Sequence, residues 1–173
     1  MAGIVVVEDE YIVALDIRGF LERSGYEVAG VFASGEDLLA RLDDLRPDLI
    51  LMDIKIRGEL DGVETARLVH ERMQVPVLLL TAYADDETVS RAKTSEPFGY
   101  ILKPFEEREL RTAIELALYR AGMERKLRES EERFRRLFKE GISGNFLADA
   151  EGRVIDANPT FLRLVGARPT GAP

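Results

Sequence analysis

The run Leu49-Ile50-Leu51-Met52-Asp53 passes directly from apolar residues to a carboxylate, and this pattern recurs through the first hundred residues. The other three occurrences are Val5-Val6-Val7-Glu8-Asp9-Glu10, Val77-Leu78-Leu79-Leu80-Thr81-Ala82 and Gly99-Tyr100-Ile101-Leu102-Lys103-Pro104. Continuous apolar runs of this length are typical of parallel strands buried on both faces, and helical patterns separate them. The sequence therefore predicts an α/β fold built on a parallel sheet.

Polar residues follow each predicted strand, and the topology brings them together. In open parallel sheets the ligand lies beyond the carboxyl ends of the strands. The residues expected at that edge are Glu8, Asp9, Asp53, Thr81 and Lys103. We therefore expect an acidic pocket that also contains one hydroxyl and one ammonium group.

These motifs, in this order, resemble the receiver domain of two-component response regulators. The matching motifs are Val-Val-Glu-Asp-Glu, Leu-Met-Asp followed by the Gly62 turn, Leu-Thr-Ala and Tyr-Ile-Leu-Lys-Pro-Phe, and they cover about residues 4 to 121. The resemblance implies a flavodoxin-like, doubly wound sheet of five parallel strands in the order 2-1-3-4-5. A helical extension is expected to follow it.

The chemistry of the predicted pocket suits phosphoryl transfer to a carboxylate. Three neighbouring acids repel one another and an incoming phosphate, so a divalent cation is required, and oxygen ligands favour Mg²⁺. We expect Asp9 to be a direct ligand and Glu8 to act through water. One oxygen of Asp53 would bind the metal while the other attacks phosphorus.

The remaining site residues are predicted to support Asp53 in its role as phosphoacceptor. Lys103 would reach the phosphoryl oxygens as a point charge, and Thr81 would donate a hydrogen bond to them. The resemblance implies two further roles: the backbone carbonyl of Lys55 as a metal ligand, and Tyr100 as an aromatic switch that responds to Thr81.

Two positions depart from the family pattern. Glu8 stands where Asp is more common, and Lys55 stands where many relatives carry a smaller polar group. The individual residues also have structural interpretations. The acids from Glu8 onward could cap a helix that starts near Tyr11, Asp53 could form a turn, and Thr81 could bond only to backbone.

The pattern changes after the fifth predicted strand. Helix signals begin near Glu106, with one apolar seam at Leu110, Ile114, Ala117 and Ala121. A second seam is shifted by one heptad position and comprises Met123, Leu127, Ser130, Phe134 and Leu137. Mixed charges surround it, which is typical of a signalling helix or a short parallel coiled coil. We predict homodimerisation through this helical region, with a solvated single helix as the alternative.

The last segment resembles the opening of a PAS sensor domain. It predicts a hairpin that turns at Glu151-Gly152 and a helix after Asn158-Pro159. A hairpin and one helix cannot bury a core, so we expect residues after about 140 to be mobile or packed against a neighbour. The predicted divisions are a receiver at 1–121, a charged signalling helix at 122–139 and a truncated PAS segment at 140–173.

Composition narrows the class of protein. The net charge of -8 argues against general nucleic-acid binding, and the absence of cysteine excludes a disulfide framework. No signal peptide or membrane span is evident in the sequence, so a cytoplasmic location without a membrane partner is expected.

The only histidine, His70, is predicted on the surface of the third helix rather than in a kinase phosphorylation motif. A short fourth helix is expected at about residues 87–93.

These observations predict a response regulator that takes a phosphoryl group from a histidine kinase or phosphotransfer protein onto Asp53 with Mg²⁺. The chain is expected to be a self-phosphorylating and autodephosphorylating acceptor that biases a helical and PAS output, and not itself a kinase. A phosphate-independent docking or dimerisation module is the alternative. A small Mg²⁺-dependent phosphatase is a third hypothesis. It is disfavoured because the Asp-x-Asp spacing that such enzymes usually show after their first strand is missing.

Overall fold

The computed structural model describes residues 1–82 and 98–166, and the chain divides into two compact units, Met1–Gly122 and Met123–Pro173. The strands are β1 (Gly3–Val7), β2 (Glu27–Phe32), β3 (Leu49–Asp53), β4 (Val77–Thr81), β5 (Gly99–Leu102), β6 (Phe146–Ala148) and β7 (Val154–Ala157). The helices are α1 (Tyr11–Arg23), α2 (Gly35–Leu45), α3 (Gly62–Met73), α4 (Glu107–Lys139) and α5 (Pro159–Leu164).

The first unit contains a five-stranded parallel sheet in the order β2-β1-β3-β4-β5, as predicted. The apolar runs are continuous because alternate side chains of each strand enter two different cores. In β3, Leu49 and Leu51 pack on the side of α1 and α4, whereas Ile50 and Met52 pack on the side of α2 and α3. Both faces of the central strands are therefore covered.

Local sequence signals define the helices that flank the sheet. Ser34 caps α2 by accepting a hydrogen bond from the Asp37 amide, and Asp61 caps α3 in the same way through the Glu64 amide. The predicted position of His70 on the third helix is confirmed, and its side chain is partly buried. The predicted fourth helix at residues 87–93 lies outside the described residues.

Helix α4 begins one residue after Glu106 and belongs to both units. Its first apolar seam is buried as predicted at Leu110, Ile114 and Ala117, which pack on the core beside α1. Residues of the second predicted seam are largely exposed. Phe138 is buried there, although the sequence pattern selected Leu137.

The second unit contains the predicted hairpin and helix. Strands β6 and β7 pair antiparallel, and Gly152 takes a positive φ of 82° at the turn. Asn158 is fully buried and joins the segments, because its side chain accepts from the amides of Phe161 and Asn145 and donates to the Ser143 carbonyl. The expected mobility or docking of this unit stays a prediction.

Gly62 allows a test of the packing below the carboxyl edge of the sheet, and Gly122 in helix α4 provides the matched comparison. A Cβ on Gly62 would approach the backbone carbonyl of Asp53 and would lie 2.8 Å from the Cα of Ile54. We predict that Gly62→Ala lowers the free energy of unfolding by about 1–3 kcal/mol because backbone must move. In contrast, Gly122→Ala, with no atom within 4 Å of the added methyl, should raise it by about 0.5–1 kcal/mol. Urea denaturation measures both, and equal stabilities of the two variants would contradict the packing described.

Candidate functional site

The carboxyl ends of four neighbouring strands place their polar residues in one pocket. Carboxylate oxygens of Glu8, Asp9 and Asp53 lie within 4.8 Å of one another. The Lys103 Nζ lies 2.5 Å from Glu8 Oε2 and 2.6 Å from Asp53 Oδ2. The structure therefore brings together the three predicted acids and the predicted ammonium group, although 95 residues separate Glu8 from Lys103.

Backbone hydrogen bonds hold the residues that follow the strands. The amide of Glu8 donates to Phe32 O at 2.9 Å, and that of Lys103 donates to Thr81 O at 2.7 Å. In the same way the amide of Ile54, next to Asp53, donates to the Leu80 carbonyl. The sheet ladder thus continues to the residues that carry the charged groups, which limits their movement relative to one another.

Burial of Glu8 dominates the electrostatics of the pocket. The Glu8 side chain is fully buried, and this desolvation raises its pKa, although the hydrogen bond from Lys103 opposes the shift and the charge of Asp53 adds to it. Burial would lower the pKa of Lys103, but hydrogen bonds and charges from Asp53 and Glu8 together raise it. Lys103 is therefore held as a cation between two acids.

Asp9 lies nearer to solvent, with 30% of its side chain exposed. Arg57 Nε, in the loop after β3, lies 3.6 Å from Asp9 Oδ2. Arg57 was not among the predicted site residues. Its position four residues after Asp53 is the only available signal, and spacing alone does not show which acid it would face.

The helix-cap interpretation of the first acids is wrong for their side chains. Glu10 is the N-cap residue of α1, and its side chain makes no capping hydrogen bond. Glu8 instead points a carboxylate oxygen to Lys103, as well as accepting a 3.3 Å hydrogen bond from the Glu10 amide. Asp53 does form a local turn, because its Oδ1 accepts from the Lys55 amide at 3.1 Å. Its second oxygen faces Lys103.

The other predicted site residues occupy distinct positions. Thr81 ends β4 at the same edge and is buried. Tyr100 lies on the edge strand β5 with half of its side chain exposed, and the Lys55 side chain is exposed. The switch role of Tyr100 and the metal-ligand role of the Lys55 carbonyl stay predictions.

The donor set of the pocket fits a hard divalent cation. Three carboxylates converge on it, whereas Lys103 supplies a single ammonium group at hydrogen-bond distance. Carboxylate oxygens without sulfur or imidazole favour Mg²⁺ over softer metals. Within residues 1–82 and 98–166, this is the one group of three potential metal-binding side chains.

Comparison with known proteins matches residues 4–115 to the response regulator receiver domain. The chain belongs to the response regulator receiver family. A PAS domain matches residues 132–172, so it begins within α4 rather than after it. The predicted succession of a receiver and a PAS segment is thereby confirmed, whereas the predicted domain limits stay predictions.

Individual relatives agree with this assignment. The transcriptional regulatory protein PdtaR of Mycobacterium tuberculosis is 32% identical over 68% of this chain and 57% of its own length. The chain thus spans little more than half of such curated relatives. Among solved structures, the signal receiver domain of a modulated diguanylate cyclase from Desulfovibrio desulfuricans is 41% identical, with a TM-score of 0.69 over 72% of this chain and 98% of that one.

A third relative has a multidomain context. The N-terminal domain of a response regulator/sensory box/GGDEF three-domain protein from Carboxydothermus hydrogenoformans is 34% identical, with a TM-score of 0.64 over 70% of this chain and 98% of that one. In the described part of our chain, no helix has the length and apolar character needed to cross a membrane.

The ion pairs of the pocket predict a specific coupling. We expect Lys103→Met to lower the free energy of unfolding by about 1–3 kcal/mol in Mg²⁺-free buffer, because two buried carboxylates lose their counter-ion. In an Asp53→Asn background this loss should shrink by about 0.5–2 kcal/mol, since one of the two acids is neutral. Urea denaturation of the four proteins measures the coupling, and Lys126→Met, at an exposed lysine, is the control. An identical loss in both backgrounds would contradict the pairing of Lys103 with Asp53.

Proposed function

We propose that this protein is a phosphorylation-dependent switch in which Asp53 accepts a phosphoryl group. The observation that carries the proposal is the convergence of Glu8, Asp9 and Asp53 within 4.8 Å, with Lys103 at 2.6 Å from Asp53. Membership of the receiver family supports it. The donor would be a histidine kinase or a histidine phosphotransfer protein.

The proposed transfer is a single displacement at phosphorus. A carboxylate oxygen of Asp53 forms the new bond to phosphorus, while the bond between phosphorus and the donor's imidazole nitrogen breaks and its electron pair stays with the nitrogen. Lys103 stabilises negative charge on the phosphoryl oxygens, and Thr81 donates a hydrogen bond to them. Hydrolysis by water attacking the same phosphorus returns Asp53 to its free state.

The acids around Asp53 would hold the Mg²⁺ that this chemistry requires. Asp9 is proposed as the direct ligand, Glu8 as a ligand through water, and the carbonyl of Lys55 as a further one. Mg²⁺ bound there would neutralise the carboxylates and coordinate the oxygens of the incoming phosphate. Catalysis would then consist of positioning and charge stabilisation.

A groove beside the pocket supports docking of the phosphodonor protein. It has a volume of about 700 Å³, lies between α1 and the segment that follows β5, and includes Lys103 in its lining. The adjacent start of α1 exposes Tyr11 and Ile12, each with about three quarters of its surface accessible. An apolar protein surface could dock there while its phosphohistidine reaches Asp53.

The proposed output passes from the pocket to the helical extension. Thr81 and Tyr100 would report phosphoryl occupancy, and the change would bias α4 and the PAS segment that follows. We propose the divisions 1–121, 122–139 and 140–173 for receiver, signalling helix and truncated PAS segment, and homodimerisation through α4.

A receiver that only docks partners would have no need for the buried Glu8–Lys103–Asp53 group, whose assembly costs desolvation energy.

Intact-mass spectrometry after incubation with acetyl phosphate and Mg²⁺ tests this proposal. We expect one phosphoryl adduct on the wild-type chain, no adduct without Mg²⁺, and none on Asp53→Ala. Asp44→Asn, which removes an exposed carboxylate of α2, should retain the adduct and serves as the control. A folded wild-type protein that stays unmodified would favour the phosphate-independent docking module, whereas saturable multiple turnover would favour a phosphatase.

Calorimetric titration with Mg²⁺ tests the metal ligands separately. Asp9→Asn should weaken binding by about tenfold or more, equivalent to about 1.4 kcal/mol, because a charged ligand is lost. Arg57→Gln should strengthen binding by about two- to fivefold, because the competing cation beside Asp9 is removed and exposed ion pairs are worth up to about 1 kcal/mol. Arg41→Gln, at an exposed arginine of α2, measures the effect of a general loss of charge. Equal affinities for Arg57→Gln and Arg41→Gln would contradict a competing role for Arg57.

A further inference from the structure

The loop of residues 54–61, between β3 and α3, is held by two different kinds of contact. In its first half, Ile54 and Ile56 pack on the apolar core on the side of α2 and α3. In its second half, residues 57–59 are exposed, so apolar burial does not hold them. The order of that half therefore depends on hydrogen bonds.

The start of α2 supplies these hydrogen bonds. The Arg57 amide donates to the Ala33 carbonyl at 3.2 Å. Glu36 Oε1 accepts hydrogen bonds from the amides of Glu59 and Leu60, at 2.8 and 3.0 Å. One carboxylate of α2 therefore fixes two consecutive residues of the loop.

The loop backbone is shaped around this carboxylate. Gly58 takes a φ of 112°, in the left-handed region that favours glycine. A Cβ at this position would overlap Oε2 of Glu36 and would lie 2.8 Å from its Cδ. Glu36 thus occupies the space that a side chain on residue 58 would need.

The hydrogen bonds keep Glu36 charged. The bond from its own backbone amide, followed by those from the Leu60 and Glu59 amides, holds the pKa of Glu36 below its usual range. Hydrogen bonds to an ionised acceptor are stronger than those between neutral groups. At neutral pH the loop is therefore attached to α2 by charge-assisted bonds.

The attached half of the loop also carries the cation beside the pocket. Arg57 Nε lies 3.6 Å from Asp9 Oδ2, and 73% of the Arg57 side chain is exposed. A long exposed side chain loses conformational entropy in such an ion pair, and a mobile backbone adds to that loss. Restraint of the loop backbone therefore favours the pairing of Arg57 with Asp9.

We propose that Glu36 is a positioning residue that keeps Arg57 against Asp9 and thereby limits the affinity of the pocket for Mg²⁺. It acts through the loop backbone, because its carboxylate is bonded to the amides of residues 59 and 60. The metal part of this inference rests on the proposed function, in which Arg57 competes with Mg²⁺ for Asp9. The positioning of Arg57 can be measured without metal.

The proposed metal ligand of this loop is held independently of Glu36. The Lys55 amide donates to Asp53 Oδ1 at 3.1 Å, and both chain neighbours of Lys55 pack on the core. Loss of the Glu36 carboxylate should therefore loosen Arg57 without displacing the Lys55 carbonyl. Loss of a negative charge by itself would weaken Mg²⁺ binding, so the sign of the change separates the two effects.

Calorimetric titration of the full chain with Mg²⁺ tests the proposal. Glu36→Ala should bind Mg²⁺ about two- to threefold more tightly than the wild-type chain, because Arg57 is released from Asp9. In an Arg57→Gln background, Glu36→Ala should give no further gain. Weaker binding by Glu36→Ala, or an equal gain in both backgrounds, would overturn the proposal.

Two matched variants complete the titration. Glu36→Gln keeps an oxygen acceptor but no charge, so its affinity should lie between those of the wild-type chain and Glu36→Ala. Asp44→Ala removes an exposed carboxylate from the same helix and should give no gain. A gain in Asp44→Ala equal to that in Glu36→Ala would overturn a specific role for Glu36.

NMR of the metal-free protein separates this inference from the proposed function. In Glu36→Ala, the amides of residues 59 and 60 should exchange about tenfold faster or more, and the heteronuclear NOE of the Arg57 Nε–H group should fall. Asp9→Asn should lower the NOE alone, and Asp44→Ala should change neither. An unchanged NOE in Glu36→Ala would overturn the positioning of Arg57. A wild-type chain that binds no Mg²⁺ would overturn the proposed function and the metal part of this inference, while the NOE would still decide the positioning.

Discussion

The pocket depends on the ion pair between the buried carboxylate of Glu8 and the ammonium group of Lys103. A charged acid removed from water is costly unless a cation compensates it, and Lys103 does so while also reaching Asp53. The parallel order of β1, β3, β4 and β5 brings these groups to one edge of the sheet, where the pairing can form. Three acids face one ammonium group in this pocket, and that excess of negative charge fits the proposed binding of Mg²⁺.

The fold follows from the sequence where burial is two-sided. Runs such as Leu49–Asp53 contain no solvent-facing position, so they predict parallel strands, and the ends of those strands locate Glu8, Asp53 and Lys103. The contact of Arg57 with Asp9 was not predictable, because it depends on the path of a loop rather than on a strand end. The apolar spacing located the buried seam of α4 at Leu110, Ile114 and Ala117, but not the burial of Phe138, which depends on what packs beside the helix.

Helix α4 differs in burial along its length. Its first turns pack through Leu110 and Ile114 on the core that supports the sheet, whereas its later turns expose the large apolar residues Met123, Leu127, Phe134 and Leu137. In the second unit, the buried Asn158 side chain joins three segments by hydrogen bonds, which gives a small structure a defined conformation without an extensive apolar core.

We propose that this charge arrangement selects Asp53, among many acids, as the phosphoryl acceptor. The most direct measurement is to phosphorylate the chain with acetyl phosphate and Mg²⁺, trap the acyl phosphate by borohydride reduction, and map the modified residue by peptide mass spectrometry. We predict modification at Asp53 alone. Modification spread over several carboxylates, or confined to Glu8 or Asp9, would contradict the selection of Asp53.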